Sequence, residues 1–221
     1  MQKFACSLLL AALAAPYAQA DNWYGSAKLN NTRQNLSSAL LTSPRVTERV
    51  AAPDSAKTMV GSFAVGYAFD DGWRLEGEYT MPNSSTFKSR WAPFNANVNS
   101  LHTQSQRLML NGYKDIPIND WLSFYGMAGV GVARVDADGY QTNKTRRFAS
   151  NRQHNFAYSL GLGLDAKVSQ QLTLGVGYRY VAMGDVETGY NTFANRINAR
   201  DEQLKGKLKE QNLFLEARVA F

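Results

Sequence analysis

Cysteine is missing from everything after residue 20, and the one that exists, Cys6, lies too early to be a lipid-attachment site. Its absence removes disulfides and thiol chemistry from residues 21–221, and with them the small secreted module stapled by bridges. Long apolar runs are missing too. No stretch beyond the first twenty residues approaches the roughly 20 apolar side chains a spanning helix needs, which excludes a helical membrane protein. Histidine is scarce, with only His102 and His154. The chain has no His-x-x-x-His pair, no P-loop and no Gly-x-Ser-x-Gly elbow, so metal, nucleotide or other cofactor chemistry has no support. Nothing points to a nucleic-acid partner.

What is present begins with a basic residue, Lys3, an apolar run from Leu8 to Ala15, and Ala18-Gln19-Ala20 before Asp21. That is the layout of a cleaved secretory signal over residues 1–20, followed by one domain over residues 21–221. Mean hydropathy is −0.36, which reads as soluble. A barrel wall escapes that test, because each strand interleaves its apolar half with polar residues. The last ten residues do this plainly: Leu213, Leu215, Ala217, Val219 and Phe221 alternate with positions that include Asn212, Glu216 and Arg218.

Seven earlier segments share the period. Trp23, Gly25, Ala27 and Leu29 fall on one face. Met59 to Phe69 alternates, Asp70-Asp71-Gly72 marks a turn, and Trp73, Leu75, Gly77, Tyr79 and Met81 alternate with Arg74, Glu76, Glu78 and Thr80, so the second and third segments form a hairpin. The fourth sets Leu108, Leu110 and Gly112 against Arg107, Met109, Asn111 and Tyr113, and is broken near Pro117. The fifth sets Phe124, Gly126, Ala128, Val130 and Val132 toward lipid, although its glycines make either phase defensible. The sixth sets Phe156, Tyr158, Leu160, Leu162 and Leu164 against Ala157 to Asp165, and the seventh sets Leu172 to Ala182 against Thr173 to Val181. Connections after the second, fourth and sixth segments are short. Those after the others are polar and on the order of 18–25 residues, long for a soluble domain. This parity predicts an all-β fold, an eight-stranded antiparallel up-and-down transmembrane barrel with short periplasmic turns and four long extracellular loops.

With the apolar face in lipid, the other face carries Arg74, Arg107, Arg179 and Arg218, with Glu76, Glu78, Asp165 and Glu216. Buried charges are costly unless paired, and an eight-stranded barrel has room for little beyond side chains, so these eight are expected to form a structural ion-pair network that fills the lumen. The competing reading, Glu76 and Glu78 as a catalytic carboxylate pair, needs a cleft that such a plug denies. His102 and His154 are expected near the outer rim as polar surface residues. His154 and Ser159, five apart, face opposite sides of one strand.

Asn22-Trp23-Tyr24-Gly25, Val65-Gly66-Tyr67-Ala68-Phe69, Leu110-Asn111-Gly112-Tyr113, Gly126-Met127-Ala128-Gly129-Val130-Gly131, Tyr178-Arg179-Tyr180 and the final strand together resemble the opacity-protein-like family of outer-membrane barrels, and within it the Tia, Hek and heat-resistant-agglutinin adhesins of enteric bacteria. The resemblance implies a monomeric surface adhesin and invasin in the outer membrane of a Gram-negative bacterium, surrounded by outer-membrane lipids and lipopolysaccharide. It also implies a C-terminal strand read by the barrel assembly machinery, and attachment to host cell-surface glycosaminoglycans or a receptor. The loop composition suits anionic glycans of the heparan sulfate type. Candidate ligand-binding residues are Lys88, Arg90, Trp91 and Phe94 in the second loop and Lys144, Arg146, Arg147 and Arg152 in the third, because guanidinium forks match sulfate and carboxylate groups and aromatic rings stack on sugars. No catalytic residue, metal or cofactor is expected. Two other readings stay open: a general envelope or serum-resistance barrel, and a barrel enzyme acting on lipid or protein, which would need a His-containing triad at the rim or on the lipid face.

Overall fold

A computed structural model describes residues 22–42, 54–90, 98–195 and 197–221; the expected signal segment lies outside them. Eight strands follow one another: β1 (Trp23–Thr42), β2 (Asp54–Ala68), β3 (Trp73–Arg90), β4 (Val98–Pro117), β5 (Leu122–Gln141), β6 (Arg147–Lys167), β7 (Leu172–Glu187) and β8 (Gln203–Ala220). Each pairs antiparallel with the next, and β8 returns to pair with β1, so the sheet closes into a barrel, with the β2–β3 ladder running from Ser62 and Thr80 down to Ala68 and Arg74. At the seam Ala220 stands opposite Tyr24, and the Phe221 N–H donates to the Trp23 carbonyl at 3.0 Å.

Every segment keeps the facing its alternation predicts, and the ambiguous fifth is resolved. Val130 and Val132 of β5 point outward, while Tyr125, Met127 and Ala133 point in. Short turns occupy residues 69–72, 118–121 and 168–171. Gly72, at a φ of 78°, supplies the left-handed residue of the first.

The long connections need correction. Strands run for 15 to 21 residues, so much of what reads as polar loop is strand, and the β5–β6 connection shrinks to residues 142–146. Two features hide this. The register slips between Ser37 and Leu40, Thr80 and Asn83, Ala137 and Gly139, and Ala182 and Asp185, which interrupts the period of two. Pro82 looks like a strand end, yet it sits in the second of these bulges, where a missing N–H is tolerated. The second feature is that the two faces exchange chemistry partway up.

In the lower half, next to the short turns, the outward rows are apolar. Phe156, Tyr158, Leu160, Leu162 and Leu164 of β6 are all exposed. At about 3.3 Å per residue and a tilt near 40°, such a row covers about 20 Å of height, close to the apolar band of an outer-membrane barrel. Its turn-side border is aromatic, with Trp23, Phe69, Trp73, Trp121 and Phe221 exposed and Trp23 edge-on to Tyr67 at 5.3 Å. In the upper half the outer wall turns polar, and the interior becomes an apolar core built on Leu36, Phe87, Leu101, Val135, Phe148, Val181, Met183, Leu204 and Leu208.

Candidate functional site

Three places hold the residues from which chemistry could come: the lower lumen, the outer wall and the strand tips.

The lower lumen gathers five cations, Lys28, Arg74, Arg107, Arg179 and Arg218, and five carboxylates, Glu76, Glu78, Asp165, Glu210 and Glu216, all 8% exposed or less. Lys28 Nζ is bonded to Glu76 and lies 3.0 Å from Glu78 and from the Tyr113 hydroxyl. Arg179 crosses from β7 to Glu78 at 2.7 Å and to Asn30 at 3.2 Å. Arg74 holds Asp115 with two N–H donors at 2.7 and 2.8 Å and reaches Asp165 at 3.1 Å, and Arg218 also pairs with Asp165. Arg107 pairs with Glu210, which accepts a second bond from Gln34 at 2.6 Å. Glu216 lies 3.9 Å from Lys28. A Cβ on Gly163 or Gly177 would collide with the Tyr125 hydroxyl, so the lumen is filled to its glycines. Glu76 and Glu78 are tied to Lys28 and sealed from solvent, an arrangement that supports the barrel and offers no cleft for a substrate.

Lys28 and Glu210 were not among the candidate lumen charges. Lys28 lies on the face opposite Trp23 and Leu29, so the period alone could have found it. Glu210 is one inward step before Asn212, where the alternation of the last ten residues begins.

On the outer wall, His102 Nδ1 is 3.0 Å from the Thr86 hydroxyl, and His102 stands opposite Asp138 in register. No hydrogen bond joins the histidine to that carboxylate, and all three side chains lie open on a convex surface. A nucleophile–base–acid relay needs a base oriented by its acid, which is missing here. His154 is exposed opposite Arg134, and Ser159 is buried on the other face.

The strand tips hold the candidate ligand residues. Lys88 projects from the outer wall of β3, and Arg90 ends that strand; Trp91 and Phe94 lie outside the described residues. Phe87, next to Lys88 in the chain, points the other way and is a core residue, 1% exposed. Lys144 and Arg147 are exposed, and the Arg147 Nε–H donates to the Lys144 carbonyl at 2.9 Å. Arg146 is already engaged: it donates to Gln141 at 2.7 Å and stacks on Phe193, 4.2 Å from the ring centre. Arg152 is engaged as well, bonded to Asp136 at 2.5 Å. That bond, with Arg134 on the other side, holds the Asp136 carboxyl below the ordinary aspartate range. The β7–β8 connection folds back on β6: Ala149 N–H donates to Tyr190 O, Gly189 N–H to Ala149 O and Thr192 N–H to Arg147 O, at 2.7 to 3.0 Å. Phe148 and Asn191 of this pairing are buried, so their neighbours Arg147 and Tyr190 share the opposite, outer face. Tyr190 carries no period-two signal and could not be found from sequence.

The family model "Outer membrane protein beta-barrel domain" matches residues 4–200. The chain is 27% identical to the outer membrane protein PagN of Salmonella typhimurium over 159 residues, which span 64% of this chain and 65% of PagN, a little under two thirds of that protein's length. It is 24% identical to a putative adhesin of Rickettsia bellii over 84% of this chain and 82% of that one. Among solved structures, the Escherichia coli outer membrane protease OmpT shares the fold, with a TM-score of 0.52 at 8% identity, covering 91% of this chain and 97% of that one. That likeness speaks for the architecture alone, since one fold hosts unrelated functions.

Proposed function

The chain belongs to the outer membrane protein β-barrel domain family and resides in the outer membrane of Gram-negative bacteria, and from this premise we propose that it is a monomeric, non-enzymatic surface adhesin whose rim binds sulfated or carboxylated glycans on host or neighbouring cells. The observation that carries this reading is the shared outer face of Arg147 and Tyr190, held in place by the backbone pairing between β6 and the β7–β8 connection, with exposed Lys144 beside them and tied to Arg147 through its carbonyl. Cations without carboxylate partners beside an exposed ring suit a polyanionic sugar: guanidinium and ammonium groups take the anions, and the phenol stacks on the pyranose. The relatives named as putative adhesins support the attachment role, and the choice of sugar rests on the rim chemistry alone.

Arg146 and Arg152 contribute less to binding than Lys144 and Arg147, because Arg146 is held by the Gln141 and Phe193 side chains and Arg152 by the Asp136 carboxylate, whereas Arg147 gives only its Nε–H, to a backbone carbonyl. Bacteria expressing the chain should therefore adhere to cultured cells in a manner blocked by soluble heparin and weakened by salt. The double substitution Lys144→Ala, Arg147→Ala should weaken heparin binding about tenfold or more, from the loss of two charge-assisted contacts. Arg146→Ala and Arg152→Ala singly should change it much less. Unaltered heparin retention by the Lys144/Arg147 variant, with the barrel folded, would refute the reading. His102→Ala should leave adhesion intact, and loss of a hydrolytic activity in that variant would favour a barrel enzyme instead.

A further inference from the structure

Cations on the outer wall of the upper half are mostly matched across strands. Arg134 and Arg152 share Asp136, Lys205 meets Glu187 at 2.8 Å, and Lys207 faces Asp185 at 3.9 Å. Below the tips, and among the described residues, Arg33, Lys57 and Lys209 are not matched in this way. Arg33 of β1 stands directly opposite Lys57 of β2, and Lys209 of β8 is the diagonal neighbour of Arg33, whose direct partner there is Gln211. Directly opposed side chains on an antiparallel pair sit about 5 Å apart and diagonal ones about 7–8 Å. Among the described residues no carboxylate pairs with any of the three, and the one recorded side-chain bond is from Arg33 to the Ser55 hydroxyl at 3.4 Å. Like charges placed directly opposite destabilise a strand pair, so this arrangement calls for an anion between them.

Its height says which anion. The row immediately below contains Met59, Asn31 and Leu213 in one register, and Met59 and Leu213 are 65% and 55% exposed, the last apolar residues of the lipid-facing wall on β2 and β8. Arg33 and Lys57 are one outward step higher, about 5 Å up a tilted strand. That is where the acyl layer ends and lipid headgroups begin.

We propose that the β2–β1–β8 wall is a binding site for the phosphate groups of a phosphorylated glycolipid of the outer leaflet, lipopolysaccharide. Arg33 and Lys57 clamp one phosphate, Lys209 extends the site, and the acyl chains lie on Leu29, Met59 and Leu213 below. The site does not depend on the adhesin reading, since it involves the wall and not the tips.

The test is thermal unfolding of the full chain in bicelles, with bisphosphorylated lipid A, dephosphorylated lipid A or inorganic phosphate added. Bisphosphorylated lipid A should raise Tm by roughly 5 °C. The triple variant Arg33→Gln, Lys57→Gln, Lys209→Gln should lose that gain, while Lys205→Gln, Lys207→Gln keeps it. If the triple variant does not fold, Lys57→Gln alone decides: it should match or exceed wild type without lipid A, because the like-charge pair is gone, yet gain less when lipid A is present. Equal stabilisation of wild type and variant, or the same gain from dephosphorylated lipid, overturns the proposal. The same gain from inorganic phosphate replaces the lipid with a free anion and overturns it as well.

Discussion

Along the lower part of β3 the inward row reads Arg74, Glu76, Glu78 and the outward row Trp73, Leu75, Tyr79; higher on the same strand the inward row includes Phe87 and the outward row is Ser84, Thr86 and Lys88. β1 changes in the same way, from Lys28 inside and Leu29 outside to Leu36 inside and Asn35 outside. One backbone thus presents opposite chemistry at two heights. Below, the wall faces acyl chains, so burying apolar groups inside would gain nothing over leaving them in lipid, and the interior is specified by paired charges and hydrogen bonds. Above, the wall faces water, the hydrophobic effect acts inward, and the barrel is built as a soluble one would be. The exchange of faces fixes the barrel's depth in the membrane, because sliding by one outward step would put Arg33 and Lys57 into hydrocarbon or Met59 and Leu213 into water.

The sharpest way to break this comparison is to remove from each interior the group that defines it. Glu78→Ala leaves Arg179 without its carboxylate and Lys28 with one fewer, and should cost roughly 3–5 kcal/mol, the usual penalty for orphaning a buried charge. Adding Arg179→Leu to that variant should recover part of the loss. Phe87→Ala in the upper interior should cost a similar amount, about 3–5 kcal/mol, through transfer and cavity terms. Urea unfolding in bicelles, followed by heat-shifted electrophoretic mobility, measures all three. An upper interior that tolerates Phe87→Ala without loss would mean that it is not a packed core.

A smaller effect separates the two outer walls. Leu160 lies midway along the apolar row of β6, and Leu160→Arg should cost about 2–4 kcal/mol, as a cation does near the bilayer midplane. Gln104→Arg, on the watery wall of β4, should stay within about 0.5 kcal/mol. Equal costs at the two positions would place the membrane boundary elsewhere.

The same exchange of faces explains what could be read in the chain before its structure. In the lower half, apolar-out alternation repeats eight times, so strand number, facing and the short turns are all visible in rows such as Phe156 to Leu164. In the upper half the apolar positions move to the inward row and bulges reset the count, so Leu36, Phe87 and Leu204 look like stray residues in polar loops. The tips depend on contacts between distant segments. The role of Tyr190 follows from Gly189 and Thr192 pairing with β6, and no local pattern encodes that. The charge set of the lumen was visible wherever the strand was, which is why Glu210, beyond the assumed start of the last segment, escaped.

The smallest expected effect belongs to the exposed carboxylate of the upper wall. Bonding to Arg152, with further attraction from Arg134, holds the Asp136 carboxyl below its ordinary range. A carboxylate lowered on folding adds stability that is fully present above its unfolded pKa and is lost as pH falls through the folded one. The loss should therefore fall in the acid range, below the ordinary aspartate value, and leave stability near neutral pH unchanged. Because the pair is water-exposed and screened by salt, its contribution stays below about 1 kcal/mol. Carboxyl-carbon NMR of the chain in bicelles should show Asp136 titrating below a reference aspartate, and Arg152→Gln should raise its midpoint. A midpoint unmoved by Arg152→Gln would mean that this ion pair is not formed in solution, and that the charges of the upper wall, unlike those locked in the lower lumen, are held only loosely by their partners.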